Sequence, residues 1–158
     1  IKIDDFVLGE IIENNGGILT VKANVIKKEG KTLLANNTGV EIIPEAIENA
    51  KENAKQNGID NARFICADAK DAAKMLVEEN FLPTAVVVDP PRKGCDEDTL
   101  NAIISMDVSK ISMISCNHAT AARDCKYLAE HGYKVEFVQP YDMFPRTKHV
   151  ECVILLTK

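Results

Sequence analysis

The chain is expected to adopt an α/β fold around a doubly wound, mostly parallel sheet whose last strand is antiparallel. Two observations carry this expectation. From residue 37 onward, short apolar runs alternate with helix-length segments, and that alternation implies right-handed βαβ units. The final two apolar runs have only "YDMFPRTKH" between them, which leaves no room for a crossover helix and suggests a hairpin at one sheet edge.

Taken in order, residues 1–36 are the least regular. "DDFVLGE" is a candidate first strand, and "GGILTVKANVIKKEGKTLLANN" reads as a β-hairpin turning at Glu29-Gly30. "TGVEII" (38–43) reads as a short buried strand, and "PEAIENAKENAKQNG" (44–58) as a helix. Pro44 suits a first helical turn, Ile47, Ala50 and Ala54 share a face, and Asn57-Gly58 ends the helix. "ARFICAD" (62–68) is the next strand, followed by a helix over 69–79. "TAVVVD" (84–89) is apolar throughout, as expected of a strand covered on both faces. A helix over 97–105, the strand "KISMISC" (110–116) and a helix over 119–131 stopping at Gly132 follow. The strands "KVEFVQP" (134–140) and "VECVILLT" (150–157) complete the series.

At 158 residues the chain fits a single domain over 1–158, with 1–36 atypical. It begins at Ile1 rather than methionine, so a piece of a longer protein is expected. No apolar run approaches the roughly 20 residues of a membrane span, and no signal peptide is read. Five cysteines without CxxC spacing argue against a zinc site and a disulfide framework, and for a reducing, cytoplasmic setting. The net charge of −5 disfavours a broad nucleic-acid surface and requires any phosphate-binding charge to be local or supplied by another domain.

Ligands of open parallel sheets bind beyond the carboxyl ends of the strands, so the polar residues there are read together. Glu41 could take the ribose hydroxyls of a nucleoside, or serve as a carboxylate favoured by the following helix dipole. Asp68 could meet an adenine amino group, or cap the next helix. In Asp89-Pro90-Pro91-Arg92, the prolines stiffen the loop and set the Asp89 carboxylate, or simply make a rigid strand exit. Cys116 is either a small buried hydrophobe or a nucleophile placed before a helix N-terminus near His118. Glu151 starts the last strand on the same face as His149 and is either an edge charge or a carboxyl poised for proton abstraction. Arg146 and Lys148 add positive charge beside it.

Read together, "GVEIIPEAIENAKENAKQNG", "DPPRKG", "SCNHATAARD" and "HVECVILL" resemble the catalytic domain of the RNA uridine-C5 methyltransferases, over roughly residues 37–158. The resemblance implies a class I methyltransferase (Rossmann-like) fold, S-adenosylmethionine as cofactor and RNA as partner, ribosomal ahead of transfer RNA. It implies Cys116 as nucleophile, Glu151 as general base, and Glu41, Asp68 and Asp89 as cofactor contacts. Arg92 and His149 are weaker candidates for substrate contact. Arg92 stands where amino-methylating enzymes often carry a stacking aromatic, which points away from an exocyclic amine. The family's glycine-rich D-x-x-C-G-x-G loop has no counterpart in "FVLGEIIENNGGILTVK", and its upstream RNA-binding domain is absent from these residues. Two other readings stay open: a cytosine-C5 or other class I methyltransferase, and a non-catalytic fragment that retains the fold.

Overall fold

A computed structural model of the chain describes residues 37–158 apart from Leu82, together with the backbone of 10–15, 18–22, 26–28 and 31–33. It divides into two compact units, residues 1–72 and 73–158.

In the first unit, β1 (Glu10–Asn15) pairs antiparallel with β2 (Ile18–Lys22), and β3 (Ile26–Lys28) with β4 (Lys31–Leu33). Lys28 faces Lys31, so two residues link β3 to β4 at the position read as a turn, though the hairpin is shorter than the sequence suggests. Most of the candidate first strand "DDFVLGE" lies outside the described residues. β5 (Asn37–Glu41) and β6 (Ala62–Cys66) pair in parallel through the connecting helix α1 (Pro44–Gln56). Pro44 opens α1, where its missing N–H costs nothing. Ile47, Ala50 and Ala54 are its buried stripe, and Gly58, with φ 64°, follows its end. Helix α2 (Ala69–Glu78) contains the point of division between the units.

The second unit is built on a four-stranded sheet in the order β7-β8-β10-β9. β7 (Ala85–Val88) runs parallel to β8 (Lys110–Ser115). β10 (Glu151–Thr157) is antiparallel to both β8 and β9 (Lys134–Tyr141), so the last two strands form the expected hairpin, with β9 at the edge. Helices α3 (Glu97–Ser105) and α4 (His118–Glu130) connect them. Burial alternates strictly along β8 and β10. Ile111, Met113, Ile154 and Leu156 point into a core with Leu100 and Ile103 of α3 and Leu128 of α4. Ser112, Ile114, Val153 and Leu155 occupy the other face, which is only half-buried. This corrects the expectation for β7. Val86 and Val88 pack on the core, but Val87 is 53% exposed, because α3 and α4 cover one face of the strand and not both.

Helix α4 also grips the loop that follows β7. The Asn117 amide and the Thr120 hydroxyl donate to the Arg92 carbonyl at 3.0 and 3.3 Å. Arg123 Nη2 donates to the carbonyls of Lys93 and Cys95 at 3.0 and 2.9 Å. Asp124, wholly buried at 0% exposure, accepts the Cys95 N–H at 2.8 Å and two guanidinium N–H groups of Arg123. A buried carboxylate persists only when its lone pairs are filled in this way. Gly94 is the residue that lets the loop pass so close. Its φ is 79°, and a Cβ there would lie 2.6 Å from Asp124 Oδ2 and closer still to Arg123 Nη2.

Two outcomes follow for urea unfolding. Asp124→Ala strips the half-buried Cys95 N–H and the Arg123 guanidinium of their shared acceptor and is expected to cost about 2 kcal/mol. Gly94→Ala meets both the left-handed backbone and the clash, and loses about 2 kcal/mol or more. Lys126→Ala, on the exposed side of α4, stays within about 0.5 kcal/mol of the parent chain. Equal stability of all three variants would remove the clamp as a folding element.

Candidate active site

Cys116 is the first residue beyond β8 and stands directly before the helix cap. Asn117 caps α4, its side-chain oxygen accepting the Ala119 N–H at 3.1 Å. The neighbouring Ser115 is buried and holds the same turn, accepting the Asn117 N–H and donating to the Asn117 carbonyl. Cys116 itself is half-buried and stands two residues before the first residue of α4.

The strand order brings the remaining groups to the same end of the sheet. β10 pairs with β8 up to Cys152 against Ser115. Glu151, which opens β10, and Cys116, which follows β8, are the next residues at that end of the ladder. Because Cys152 lies on the covered face, alternation along β10 puts Glu151 on the half-open one; Cys116, in the bend after β8, is half-buried. β7 pairs with β8 up to Val88 against Met113, and Asp89 is the first residue beyond that strand. Crowding around the Asp89 carboxyl, and after it the charge of Glu151, push its pKa above the ordinary value. Asp89, Cys116 and Glu151 thus follow or open three neighbouring strands at the same end of the sheet, and the two acids are close enough to repel.

Glu41 and Asp68, in the first unit, lie at and just beyond the carboxyl ends of the parallel pair β5 and β6. Glu41 Oε1 accepts the Ile43 N–H at 3.0 Å, and Asp68 Oδ1 the Lys70 N–H at 3.1 Å. Each carboxylate is therefore oriented through one oxygen, and Asp68 does cap α2. Arg92 is exposed in the clamped loop. His149 is half-buried, with its N–H donating to the Thr147 hydroxyl at 3.2 Å. It precedes β10 rather than belonging to it, so strand alternation does not place it on Glu151's face.

The other cysteines differ sharply from Cys116 in setting. Burial, then the Asp124 carboxylate, push Cys95 up to about 12 and Cys125 up to about 11. Cys152 is buried, and the exposed Cys66 approaches the Ile42 carbonyl. Sequence reasoning missed Asn117, Arg123, Asp124 and Gly94 as the parts that fix the Arg92 loop beside Cys116. The one available signal was "ARD" so soon after "SCN", with Asp124 falling on the apolar side of α4.

Two measurements check this electrostatic picture. At pH 8, Cys95 and Cys125 are expected to resist iodoacetamide while Cys66 reacts, since a rise of two to three pH units cuts the thiolate fraction about a hundred- to a thousandfold. Peptide-resolved mass spectrometry reads this directly, and modification of Cys95 as fast as Cys66 contradicts it. Glu151→Gln removes the like charge beside Asp89 and so lowers the Asp89 pKa toward its ordinary value, with the burial contribution remaining. Because a raised carboxyl pKa means that ionised Asp89 works against the fold, this variant should be more thermally stable than the parent at pH 7. That advantage fades as pH falls through the Asp89 pKa. Carboxyl NMR titration showing an unmoved Asp89 would disprove the coupling.

Comparison with known proteins identifies the fold and the family. Residues 30–158 match the family model described as tRNA (Uracil-5-)-methyltransferase. An uncharacterised RNA methyltransferase of Bacillus cereus is 52% identical over 120 residues, which make up 76% of this chain and 26% of that protein. The chain thus spans about a quarter of the length of such relatives. Among solved structures, the Pyrococcus abyssi tRNA (uracil-54, C5)-methyltransferase in complex with S-adenosyl-L-homocysteine aligns with a TM-score of 0.65 and 32% identity. That alignment covers 76% of this chain and 28% of the other. A precorrin-6y C5,15-methyltransferase from Geobacter metallireducens, at 18% identity and a TM-score of 0.57 over 75% of this chain and 66% of its own, shares the fold. The α/β architecture is that of the Rossmann-like class I methyltransferases, and the chain belongs to the tRNA (uracil-5-)-methyltransferase family.

Proposed function

We propose that this chain is the catalytic domain of an RNA (uracil-5-)-methyltransferase that uses S-adenosylmethionine to methylate C5 of a uridine. The observation that supports it most is that Cys116 follows β8 and Glu151 opens its antiparallel partner β10 at the same end of the sheet, with Asp89 within electrostatic reach of Glu151. A thiol and a carboxylate at the same end of the sheet are what addition to a pyrimidine ring and later removal of its C5 proton require.

In this reading the Cys116 thiolate adds to C6 of a uracil turned out of its stack, and the displaced electron pair makes C5 nucleophilic. S-adenosylmethionine, when bound, supplies the methyl group to C5 as an electrophile. Glu151 then takes the C5 proton. The electrons of that C–H bond rebuild the C5–C6 double bond and expel the Cys116 thiolate. Glu41 and Asp68 fit an adenosine, because each carboxylate is oriented by a backbone N–H and can accept hydrogen bonds from hydroxyl or amino donors. Asp89 is assigned to the cofactor by its motif position, and Arg92 and His149 to the substrate. Cys95 fits the alternative role of cytosine-C5 nucleophile poorly, since its thiol is pushed up to about 12.

Both the family description and the Pyrococcus abyssi enzyme name tRNA, so transfer RNA stands at least level with ribosomal RNA as the substrate class. A cytoplasmic setting accords with either. Among the described residues no helix is long and apolar enough to cross a membrane.

RNA carrying 5-fluorouridine tests the chemistry, because fluorine at C5 cannot leave as a proton does. With S-adenosylmethionine present, the unaltered chain and Cys66→Ala should form a denaturation-resistant RNA adduct, and Cys116→Ala none. Equal adduct in all three would remove Cys116 from the mechanism. On ordinary uridine, Glu151→Gln should accumulate adduct and turn over at least about a hundredfold more slowly. Calorimetric titration with S-adenosylmethionine should lose about tenfold in affinity on Glu41→Ala, and unchanged binding there would take Glu41 out of the cofactor site.

A further inference from the structure

The loop joining β9 to β10 carries features that the chemistry of Cys116 and Glu151 does not call on. Tyr141, Met143 and Phe144 are exposed by 48%, 64% and 49%, a run of large side chains in water beside the site. The loop is nevertheless ordered. The Phe144 carbonyl accepts both the Thr147 N–H at 3.1 Å and the Thr147 hydroxyl at 2.8 Å. Pro145 and Arg146 lie between, and Arg146 has φ 71°. A proline second, a left-handed residue third and a bond from the fourth N–H to the first carbonyl make a type II turn, whose third position favours glycine. An arginine there is a strained choice for the turn and one that keeps a long cation at its tip.

Charge points the same way. Arg92, Lys93, Arg146 and Lys148 are exposed at the end of the sheet where Cys116 sits, and none makes an ion pair among the described residues. Lys51, Lys126 and Lys134, elsewhere, are each matched by a glutamate, whereas Lys55 and Lys74 stand singly among the described residues. In a chain of net charge −5, unmatched cations gathered beside exposed aromatics mark a place for a polyanion with flat faces. Asp89, Asp96, Asp142 and Glu151 are the acids that flank them. Tyr141 faces Glu151 in the β9–β10 register, so a base stacked on Tyr141 would lie next to the end of the sheet where Cys116 sits.

We propose that the Tyr141–Lys148 loop is a stacking platform for unpaired RNA nucleotides flanking the target uridine. Tyr141 and Phe144 receive bases on their ring faces, and Arg146 and Lys148 contact phosphates. The proposal rests on the reading that RNA is the substrate, and adds where and in what form the RNA is held. A base turned out of its stack leaves neighbours in need of a new surface, and aromatic rings accept any base because every base has a π-face.

Fluorescence anisotropy of the 158-residue chain with a labelled single-stranded RNA of about 15 nucleotides at low salt provides the test. Phe144→Ala should weaken binding about tenfold. Arg146→Gly should weaken it severalfold and lower the slope of log K against log salt by about one, while holding or raising Tm because glycine suits the turn. That combination separates contact from scaffolding. Four results would each overturn the platform: no saturable binding by the unaltered chain, unchanged binding by both variants, a fall in Tm that accounts for the weaker binding, or equal affinity for a duplex of the same sequence. Lys126→Ala, on the exposed side of α4, should bind the RNA as the unaltered chain does. Retained binding with no fluorouridine adduct from the unaltered chain would reject the covalent step and leave the platform standing.

Discussion

A slip of one residue between β8 and β10 would carry Glu151 from the half-open face to the one covered by α3 and α4, because side chains alternate with a period of two. The register that prevents this is set by the core. Ile154 and Leu156 are buried with Ile111 and Met113, and a slip would push all of that apolar surface toward water. The position of Glu151 relative to Cys116 therefore depends on the same hydrophobic alternation that folds the second unit. The same register sets Cys152 against Ser115, so the end of β8 and the start of β10 meet as soon as the core forms.

The third strand end needs a different device, because Asp89 sits where β7 has already left the sheet. Two prolines stiffen the chain, and the Asn117, Thr120, Arg123 and Asp124 side chains hold the Arg92–Cys95 backbone against α4. Asn117 matters twice. Its oxygen caps the helix that begins after Cys116, and its amide holds the loop that follows Asp89. The loop after β7 and the turn after β8 are thus fixed to one another through a single side chain. Burial of Asp124 makes this rigid, since a carboxylate with no access to water cannot exchange its partners for solvent.

Much of this was legible in the sequence, for identifiable reasons. The helix over Pro44–Gln56 announces itself by proline at its start, Ile47, Ala50 and Ala54 on one stripe, and Asn57-Gly58 at its end, all local signals. Cys116 at a strand end, Glu151 opening the last strand and the antiparallel final hairpin followed from run lengths alone. What was not legible is non-local. An aspartate in a helix normally reads as a solvated face, and the partner that buries Asp124 lies 29 residues earlier. Gly94 looks like any turn glycine until the guanidinium and carboxylate beside it are placed. The apolar run at Val86–Val88 suggested cover on both faces, because composition cannot distinguish a covered face from an exposed one.

The costs in the second unit are unevenly placed. Among the described residues no buried side-chain nitrogen or oxygen lacks a hydrogen-bond partner. Asn80 and Asp107 also have positive φ, but they follow α2 and α3 closely and are residue types that tolerate a left-handed helix end. Arg146 has neither excuse. The repulsion of Asp89 by Glu151 and the open Val87 belong with it, at the carboxyl ends or on the half-open face of the same sheet. Selection for stability alone would replace Arg146 by glycine, neutralise one of the two acids and cover Val87. Their persistence at that end of the sheet is what a site that must hold charge, receive a flat base and release it would require.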